Sequence, residues 1–510
     1  MVTDGGIAVL DFGGQYAHLI VRRIRELGVS AELMPYNTPV SDLKNKDGVI
    51  LSGGPRSTLS KDALTIDKNV WDLGRPILGI CYGHQLIAKE LGGKVTASKL
   101  KEYGRTKIVV LRNSRILKGS GDRLTVWMSH GDTVKAAPPG FKEIAKSQDN
   151  ALAAMEDTDR QIFGLQFHPE VTHTQKGRRM LSNFVFDICN CKASWSPDDF
   201  IQKQIAEIKK VAGNDRLLCA VSGGIDSTTA AVLTARALGD RLQCLFVNHG
   251  LLRAGEAESV LSMLKKLGLN VAYVDASDRF LASVRGVEDP EEKRRIIGKE
   301  FAEVFKEFSK RNGPFQWLVQ GTLYPDIIES GSPNIHAARI KSHHNVAALP
   351  TDIPLKVLEP LKDLYKDQVR IIALKLGIPQ EFVKRHPFPG PGLAVRIMGR
   401  ITRDKLEICR KASYIFEQEL KRSNLYYKIW QGFAIVGDDK AVGVSGDQRS
   451  YGHIVILKAV KSEDGMTAEW AKLPYSLLER VSRRITNEVK GVSMVAYGIS
   501  DKPPATIEPQ

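Results

Sequence analysis

The residue types that can do chemistry gather at two places in this 510-residue sequence. At the first, Ser222-Gly223-Gly224-Ile225-Asp226-Ser227 follows an apolar run, Leu217 to Val221, and precedes an Ala- and Leu-rich stretch, Thr228 to Leu238. Strand, glycine turn and helix in that order aim backbone N–H groups and a helix N-terminus at an anion. The two glycines let phosphate approach the backbone, and the hydroxyls of Ser222, Ser227 and Thr228 add donors. A Walker-type loop would place a lysine here to reach the terminal phosphates. This sequence places Asp226 instead, which suits a magnesium ion carried on those phosphates. Ser-Gly-Gly alone also fits an ordinary strand–helix turn, whereas S-G-G-x-D-S is far rarer.

At the second place, Gly79-Ile80-Cys81-Tyr82-Gly83-His84-Gln85 reads as a nucleophile elbow with cysteine at its tip. Flanking glycines permit a strained turn that lifts the side chain out of the sheet. The helix N-terminus that follows favours thiolate, the reactive form. A lone cysteine is usually a small buried apolar residue, but Gln166-Phe167-His168-Pro169-Glu170 changes that reading. A thiol nucleophile needs a base, and the base needs an orienting carboxylate. His168 and Glu170, two residues apart, share one face of an extended chain and supply both.

The elements that must hold these groups alternate between strand and helix. Ile7 to Asp11, Asp47 to Leu51 and Pro76 to Ile80 read as short apolar strands. Gln15 to Leu27 and Gly83 to Leu91 read as helices stopped at Gly28 and Gly92-Gly93. This alternation predicts a parallel sheet with its functional groups at the strands' C-terminal ends. Lys192 to Asp199 reads as a linker ending in a helix cap. Beyond it Leu242 to Val247, Asn270 to Val274 and Trp317 to Gly321 are expected strands, with helices over Gly255 to Leu267 and Asp289 to Phe308. His386-Pro387-Phe388-Pro389-Gly390-Pro391-Gly392 fixes an irregular loop at a domain boundary. After it come an amphipathic helix, Asp404 to Lys421, strands at Trp430 to Val436, Ala441 to Val444 and His453 to Ala459, a helix at Tyr475 to Lys490, and a strand at Val492 to Tyr497. The expected architecture is α/β: two successive parallel-sheet domains, over 1–195 and 196–386, then a small α+β domain over 387–510. The modest core of that last domain predicts that it pairs with its copy in a homodimer.

Bulk properties narrow the class. Hydrophobic residues at 43% and charged residues at 26% fit a soluble globular protein. No run approaches the roughly 20 apolar residues of a membrane span, and the start, Met1-Val2-Thr3-Asp4, lacks a basic-then-apolar signal. A cytosolic protein is expected. Six scattered cysteines do not make a disulfide framework. Cys189-Asn190-Cys191 lacks further ligands for zinc. The net charge of +15 raises the possibility of nucleic acid, but the excess divides almost evenly between residues 1–195 and the remainder, with no basic tail. Lysine-rich solvated faces explain most of it, and no nucleic-acid partner is expected.

S-G-G-I-D-S resembles the signature of the ATP pyrophosphatase family, which cleaves ATP between its α and β phosphates and adenylates a substrate. On that resemblance Ser222, Gly223, Gly224, Ile225, Asp226 and Ser227 bind ATP, Asp226 serves the metal, and Val247 and His249, at Asn248-His249-Gly250-Leu251-Leu252-Arg253, border the adenosine. The Cys81 elbow with H-P-E resembles a class I glutamine amidotransferase over about residues 5–190. This implies that Cys81 attacks the glutamine amide, His168 shuttles the proton and Glu170 fixes the imidazole. Gly54, in Ser52-Gly53-Gly54-Pro55, and Tyr82 would offer N–H groups to the oxyanion. Gln85 and Ser129-His130-Gly131-Asp132 match segments near the glutamine, although His130 alone also suits a structural turn.

Three later segments complete the pattern. Lys341-Ser342-His343-His344-Asn345-Val346 suits a lysine aimed at phosphate better than a metal site. The P-F-P-G-P-G-L loop and the stretch Lys502-Pro503-Pro504-Ala505-Thr506-Ile507-Glu508 are the others. A proline-rich stretch of that kind is ordinarily disordered. Together with Q-G-T-x-Y-P-D at 320–326, these segments make the whole chain resemble the glutamine-hydrolysing GMP synthetases. That resemblance implies ATP, Mg2+, glutamine and XMP as cofactors and substrates. XMP is placed near Arg285, Lys341, Gln431, Arg449, Lys502, Ile507 and Glu508. The family commonly ends Thr-Ile-Glu-Trp-Glu, whereas this chain ends Thr506-Ile507-Glu508-Pro509-Gln510. The rival expectations are another ATP-dependent amidoligase and a basic nucleic-acid-binding scaffold with degenerate domains. An amidotransferase with N-terminal cysteine is excluded by Val2, and intact Cys81, His168, Glu170 and S-G-G-I-D-S weigh against a scaffold.

Overall fold

The computed structural model describes residues 5–148, 151–193, 195–331, 355–445, 448–462, 465 and 467–510. The chain divides into two compact units, Met1–Asp199 and Phe200–Gln510.

The first unit is built on a nine-stranded sheet. Its strands are β1 (Ile7–Asp11), β2 (Ala31–Pro35), β3 (Gly48–Leu51), β4 (Ile77–Ile80), β5 (Lys94–Val110), β6 (Arg123–Ala136), β7 (Lys142–Ser147), β8 (Leu152–Asp157) and β9 (Ile162–Leu165), in the order β2-β1-β3-β4-β9-β8-β7-β5-β6. The five strands from β2 to β9 run parallel. Of these, β1, β3, β4 and β9 are apolar runs buried in the sheet, whereas edge strand β2 is only partly covered. From β9 onward the pairing is antiparallel. The expected parallel sheet is therefore half of a mixed one. The reading missed β2 and β5 to β9; among these β6 has the polar alternation of a hairpin strand with one wet face, which resembles loop in composition. Ala8, Leu10, Val49, Leu51, Leu86 and Ile87 knit β1, β3 and the helix Tyr82–Glu90 into one core.

In the second unit β10 (Leu217–Ala220), β11 (Leu242–Asn248), β12 (Val271–Asp275), β13 (Trp317–Val319) and β14 (Lys356–Leu358) form a parallel sheet, order β12-β11-β10-β13-β14. The helix Ile225–Leu238 leaves β10 at the glycine turn. The helix Pro290–Asn312 starts on Asp289, whose side chain accepts from the Glu292 N–H, with proline at the first helical position. A further sheet follows: β15 (Gln431–Ser445), β16 (Gln448–Lys461), β17 (Glu469–Trp470) and β18 (Val492–Tyr497). β15 is one long strand rather than the two expected, with a register irregularity between Val436 and Lys440.

Two helices pack on this sheet. Arg403–Arg422 is capped by Thr402, and Tyr475–Glu488 lies alongside it. Their apolar faces, with Phe416, Leu420, Val481 and Ile485, do not close a core of their own. The cluster continues into Leu251, Phe280, Val284, Ile297 and Val304, so residues on both sides of the proline–glycine loop share one interior. The 502–510 stretch is ordered against this unit, contrary to the behaviour usual for such composition: Lys502 and Ala468 exchange two backbone hydrogen bonds.

Candidate active sites and family

Cys81 sits at φ 52°, ψ −99°, between β4 and its helix. This is a left-handed conformation that a side-chain-bearing residue adopts at a cost of about 1–3 kcal/mol. The flanking glycines serve a purpose different from the one the sequence suggested, since neither has positive φ. A Cβ on Gly79 would lie 2.5 Å from the Gly83 carbonyl carbon, and one on Gly83 would lie 2.4 Å from Leu51 O. They allow close packing, while the strain falls on the cysteine itself. The Cys81 N–H donates to Leu165 O at 2.8 Å, which ties the elbow to β9.

The chain beyond β9 then brings His168 to Cys81. His168 N–H donates to Trp127 O at 3.0 Å, and the Thr174 hydroxyl donates to His168 O at 2.6 Å. His168 Nδ1 meets Glu170 Oε1 at 2.7 Å, with both side chains buried. The ring also hydrogen-bonds Cys81. Burial pushes the imidazole toward its neutral form, but Glu170 and the Cys81 sulfur outweigh it and hold the pKa well above 6.5. The arrangement favours the charged form of the imidazole. Arg23 Nε donates to the Glu170 carbonyl at 3.0 Å and the Tyr16 ring stands edge-on to His168 at 5.0 Å.

The Ser52-Gly53-Gly54 turn lies over this pair. A Cβ on Gly53 would be 3.0 Å from His168 Cε1 and 3.6 Å from Cys81 Cβ. Gly54 packs on the Tyr82 ring, and the Tyr82 N–H opens a helix, where no intrahelical carbonyl accepts it. The residues expected near glutamine converge on β6. Ser129 O accepts from the Cys81 thiol at 3.6 Å. Gln85 Nε2 donates to Asp132 O at 2.9 Å, and His130 Nδ1 lies 2.8 Å from the same oxygen. The Asp132 carboxylate accepts from Ser57 Oγ and from Thr58 N–H. Gly131 has open space where a Cβ would stand. The sequence reading missed Tyr16, Arg23, Ser57, Trp127 and Thr174, which bear on the site through pairings that no local pattern encodes.

In the second unit the Ser222–Ser227 loop is held by its own hydroxyls. Ser222 and Ser227 Oγ lie 3.2 Å apart, and Ser222 Oγ accepts from Gly224 N–H at 3.3 Å. Gly223 has φ +77°, and a Cβ there would strike Val260 at 2.5 Å. Asp226 Oδ2 pairs with Lys366, while Oδ1 is buried without a partner among the described residues. Lys366 was missed, although a lysine in the first turn of a helix opposes the helix dipole and so calls for a reason. Gly321 of Q-G-T brings its segment onto the same helix start, since a Cβ there would lie 2.8 Å from the Asp226 carbonyl carbon. Val247 and His249 lie at the C-terminal end of β11. The His249 ring turns inward against Phe280 and Phe301, and burial lowers its pKa to about 4.

Of the residues assigned to XMP, Gln431 and Glu508 touch: Gln431 Nε2 donates to Glu508 Oε1 at 2.7 Å. Ile507 adjoins them in sequence and is half-buried. Lys502 Nζ donates to Gly465 O at 2.8 Å. Arg285 and Arg449 are exposed, Arg449 near the turn of the β15–β16 hairpin. Lys341 and its K-S-H-H-N-V segment lie outside the described residues.

Comparison with known proteins agrees with this layout. The family model Glutamine amidotransferase class-I matches residues 8–188, NAD synthase matches 197–301, and GMP synthase C terminal domain matches 418–509. The chain is thus a class I glutamine amidotransferase fused to a nucleotide-dependent synthase. It is 52% identical over 505 residues to a glutamine-hydrolysing GMP synthase of Carboxydothermus hydrogenoformans, covering 98% of this chain and 99% of that one. It is 51% identical over 504 residues to that of Aquifex aeolicus, covering 98% and 99%. The chain belongs to the glutamine-hydrolysing GMP synthase family.

Proposed function

We propose that this protein makes GMP from XMP with glutamine as nitrogen donor. Three functional segments carry the work: an amidotransferase over 1–195, an adenylating segment over 196–386, and an XMP-binding and dimerising segment over 387–510. The buried Cys81–His168–Glu170 array carries the reading, since a strained cysteine facing a carboxylate-held imidazole suits nucleophilic acyl transfer.

The Cys81 sulfur attacks the glutamine side-chain amide carbon. The N–H groups of Tyr82 and the Gly53–Gly54 turn receive the oxyanion, and His168 gives its proton to the departing ammonia. Water, deprotonated by His168, then releases glutamate. In the second unit the purine C2 oxygen of XMP attacks the α-phosphorus of ATP and pyrophosphate leaves. Ammonia then displaces AMP at C2, because adenylation turns a poor leaving group into a good one. The loop N–H groups, Ser222 and Ser227 bind phosphate oxygens.

Magnesium fits the loop as a phosphate-borne ion. Among the described residues no group of three or more His, Cys, Asp or Glu side chains could hold a metal. Asp226 offers one unpartnered carboxylate oxygen, which matches an ion that keeps its waters and phosphates. When bound, it neutralises phosphate charge. Among the described residues no helix is long and apolar enough to cross a membrane, in keeping with a cytosolic enzyme. Val442, Val444 and Tyr451 are exposed on β15 and β16, with Val442 opposite Tyr451, an apolar face that suits a homodimer contact.

Incubation with ATP, magnesium and ammonium, offering XMP, IMP or aspartate in turn, tests the reading. XMP alone should release AMP and pyrophosphate; release with aspartate or IMP instead would assign another amidoligase.

A further inference from the structure

Ser52 follows β3 directly and is 0% exposed. Its backbone joins two neighbours of the Cys81 site. The Ser52 N–H donates to Leu10 O of β1 at 3.1 Å, and its carbonyl accepts from the Gly83 N–H, in the helix behind Cys81, at 3.2 Å. The hydroxyl has two partners of its own: it accepts from the Phe12 N–H at 3.1 Å and donates to Gly53 O at 2.9 Å. A hydroxyl that only closed the strand end would need the first of these. The second acts on the next peptide unit.

That unit carries the Gly54 N–H. The Gly53–Gly54 bond is trans, so its C=O and N–H leave opposite edges of one plane. Whatever fixes the carbonyl therefore fixes the direction of the amide hydrogen. The surroundings leave the plane little room. A Cβ on Gly14 would stand 2.3 Å from Gly53 O, 2.7 Å from Gly53 C and 3.2 Å from Gly54 N, so the peptide lies directly on the Gly14 backbone. A Cβ on Gly54 would meet Phe12 O at 2.8 Å. Two turns thus pack backbone to backbone. In isolation a Gly–Gly peptide turns over easily, because neither residue has a Cβ to restrict its φ and ψ. Donors to an oxyanion work by being in place before the charge develops, so a glycine pair used in this way needs an external hold.

We infer that Ser52 is a positioning residue for glutamine hydrolysis: its hydroxyl holds the Gly53–Gly54 peptide in the orientation that presents the Gly54 N–H to the oxyanion. This rests on the reading of Gly54 as an oxyanion donor beside Tyr82. Ser52 acts through the peptide and takes no part in the bond changes at Cys81.

The test uses the full chain with glutamine varied. Ser52→Ala should lower kcat for glutamate release about 10- to 100-fold with KM little changed, less than the roughly 10²–10³-fold that loss of a whole oxyanion donor costs. Alkylation of Cys81 by iodoacetamide, followed by mass spectrometry on the Cys81 peptide, develops no oxyanion and should keep its parental rate and pH profile. A parental kcat, or a raised KM at parental kcat, would overturn the proposal. Alkylation that falls in step with kcat would also overturn it, since the elbow itself would then have moved. If Ser52→Ala does not fold, Gly14→Ala takes its place: the added methyl presses on the same Gly53 carbonyl and should give the same split between kcat and alkylation. A parental kcat in that variant overturns the proposal as well. A parent that hydrolyses no glutamine would defeat the functional reading and the proposal with it, whereas an active parent indifferent to Ser52 defeats the proposal alone.

Discussion

At Cys81 the backbone carries strain, and the His168 ring beside it is held toward its charged form; both are set by neighbours. Glu170 is the residue whose loss separates these effects. Its carboxylate, with Oε2 lacking any partner among the described residues, serves the His168 ring. In Glu170→Gln, burial is left to act on the imidazole with no opposing carboxylate, so its pKa falls. Glutamine hydrolysis should drop about 10²–10⁴-fold, a range typical of a displaced base or its orienter. The sign for stability follows from the raised His168 pKa. The ion pair contributes fully below pH about 6.5 and its contribution fades as pH climbs through the raised value. Glu170→Gln should therefore destabilise the first unit more at pH 6 than at high pH, as thermal melting of parent and variant will register. Equal losses at both would mean that His168 is neutral in the parent.

The Ser222–Ser227 loop works as an element, and its acid is tied to a helix far along the chain. Asp226→Ala should stop pyrophosphate release with either nitrogen source. Normal conversion of ATP to AMP would reduce Asp226 to a turn residue. Lys366→Ala removes a half-exposed partner, so its effect on stability should be within about 1 kcal/mol, while its effect on ATP cleavage should be larger. Two loops of this unit also hold histidines neutral by burial, each with its pKa lowered to about 4: His249, and His386 stacked 3.8 Å from Tyr426. Groups with depressed pKa give stability that is present above about 6.5 and is lost as pH falls toward 4. Each can cost on the order of 3 kcal/mol over that window. Urea titrations should show the second unit weakening between these limits, and His386→Phe, which keeps the stack, should flatten the dependence.

For the whole molecule, the two chemistries belong to different compact units. Cys81→Ala should abolish glutamine-dependent GMP formation but spare synthesis from ammonium at high pH. Loss of both in a folded protein would refute that division. Removing residues 501–510 should raise the XMP KM strongly while glutamine hydrolysis continues, and an unchanged KM would mean that the tail has no part in the site. Val442→Lys, which places a charge on the exposed apolar face at 60% exposure, should convert a homodimer to monomer in sedimentation. A parent already monomeric at micromolar concentration would remove the dimer from the proposal.

What the sequence determined by itself was local. S-G-G-I-D-S between an apolar run and a helix is legible because loop, strand and cap lie within a few residues, and β18 appears at Val492–Tyr497 as read. The elbow was legible for the same reason, and H-P-E placed an imidazole and a carboxylate two residues apart, where they meet. Tertiary structure decided everything that depends on pairing across the chain. The antiparallel half of the first sheet, Lys366 against Asp226, and Arg396 against Glu508 bring together residues that are far apart in sequence. It also decided what a residue is for. Gly79 and Gly83 make room instead of supplying φ, and the His249 ring belongs to the core while its backbone stays at the sheet edge. A sequence records which side chains exist and their spacing along one strand or helix. Which charge is buried beside which is fixed only when the sheets close, because desolvation acts on the folded surroundings and not on the chain.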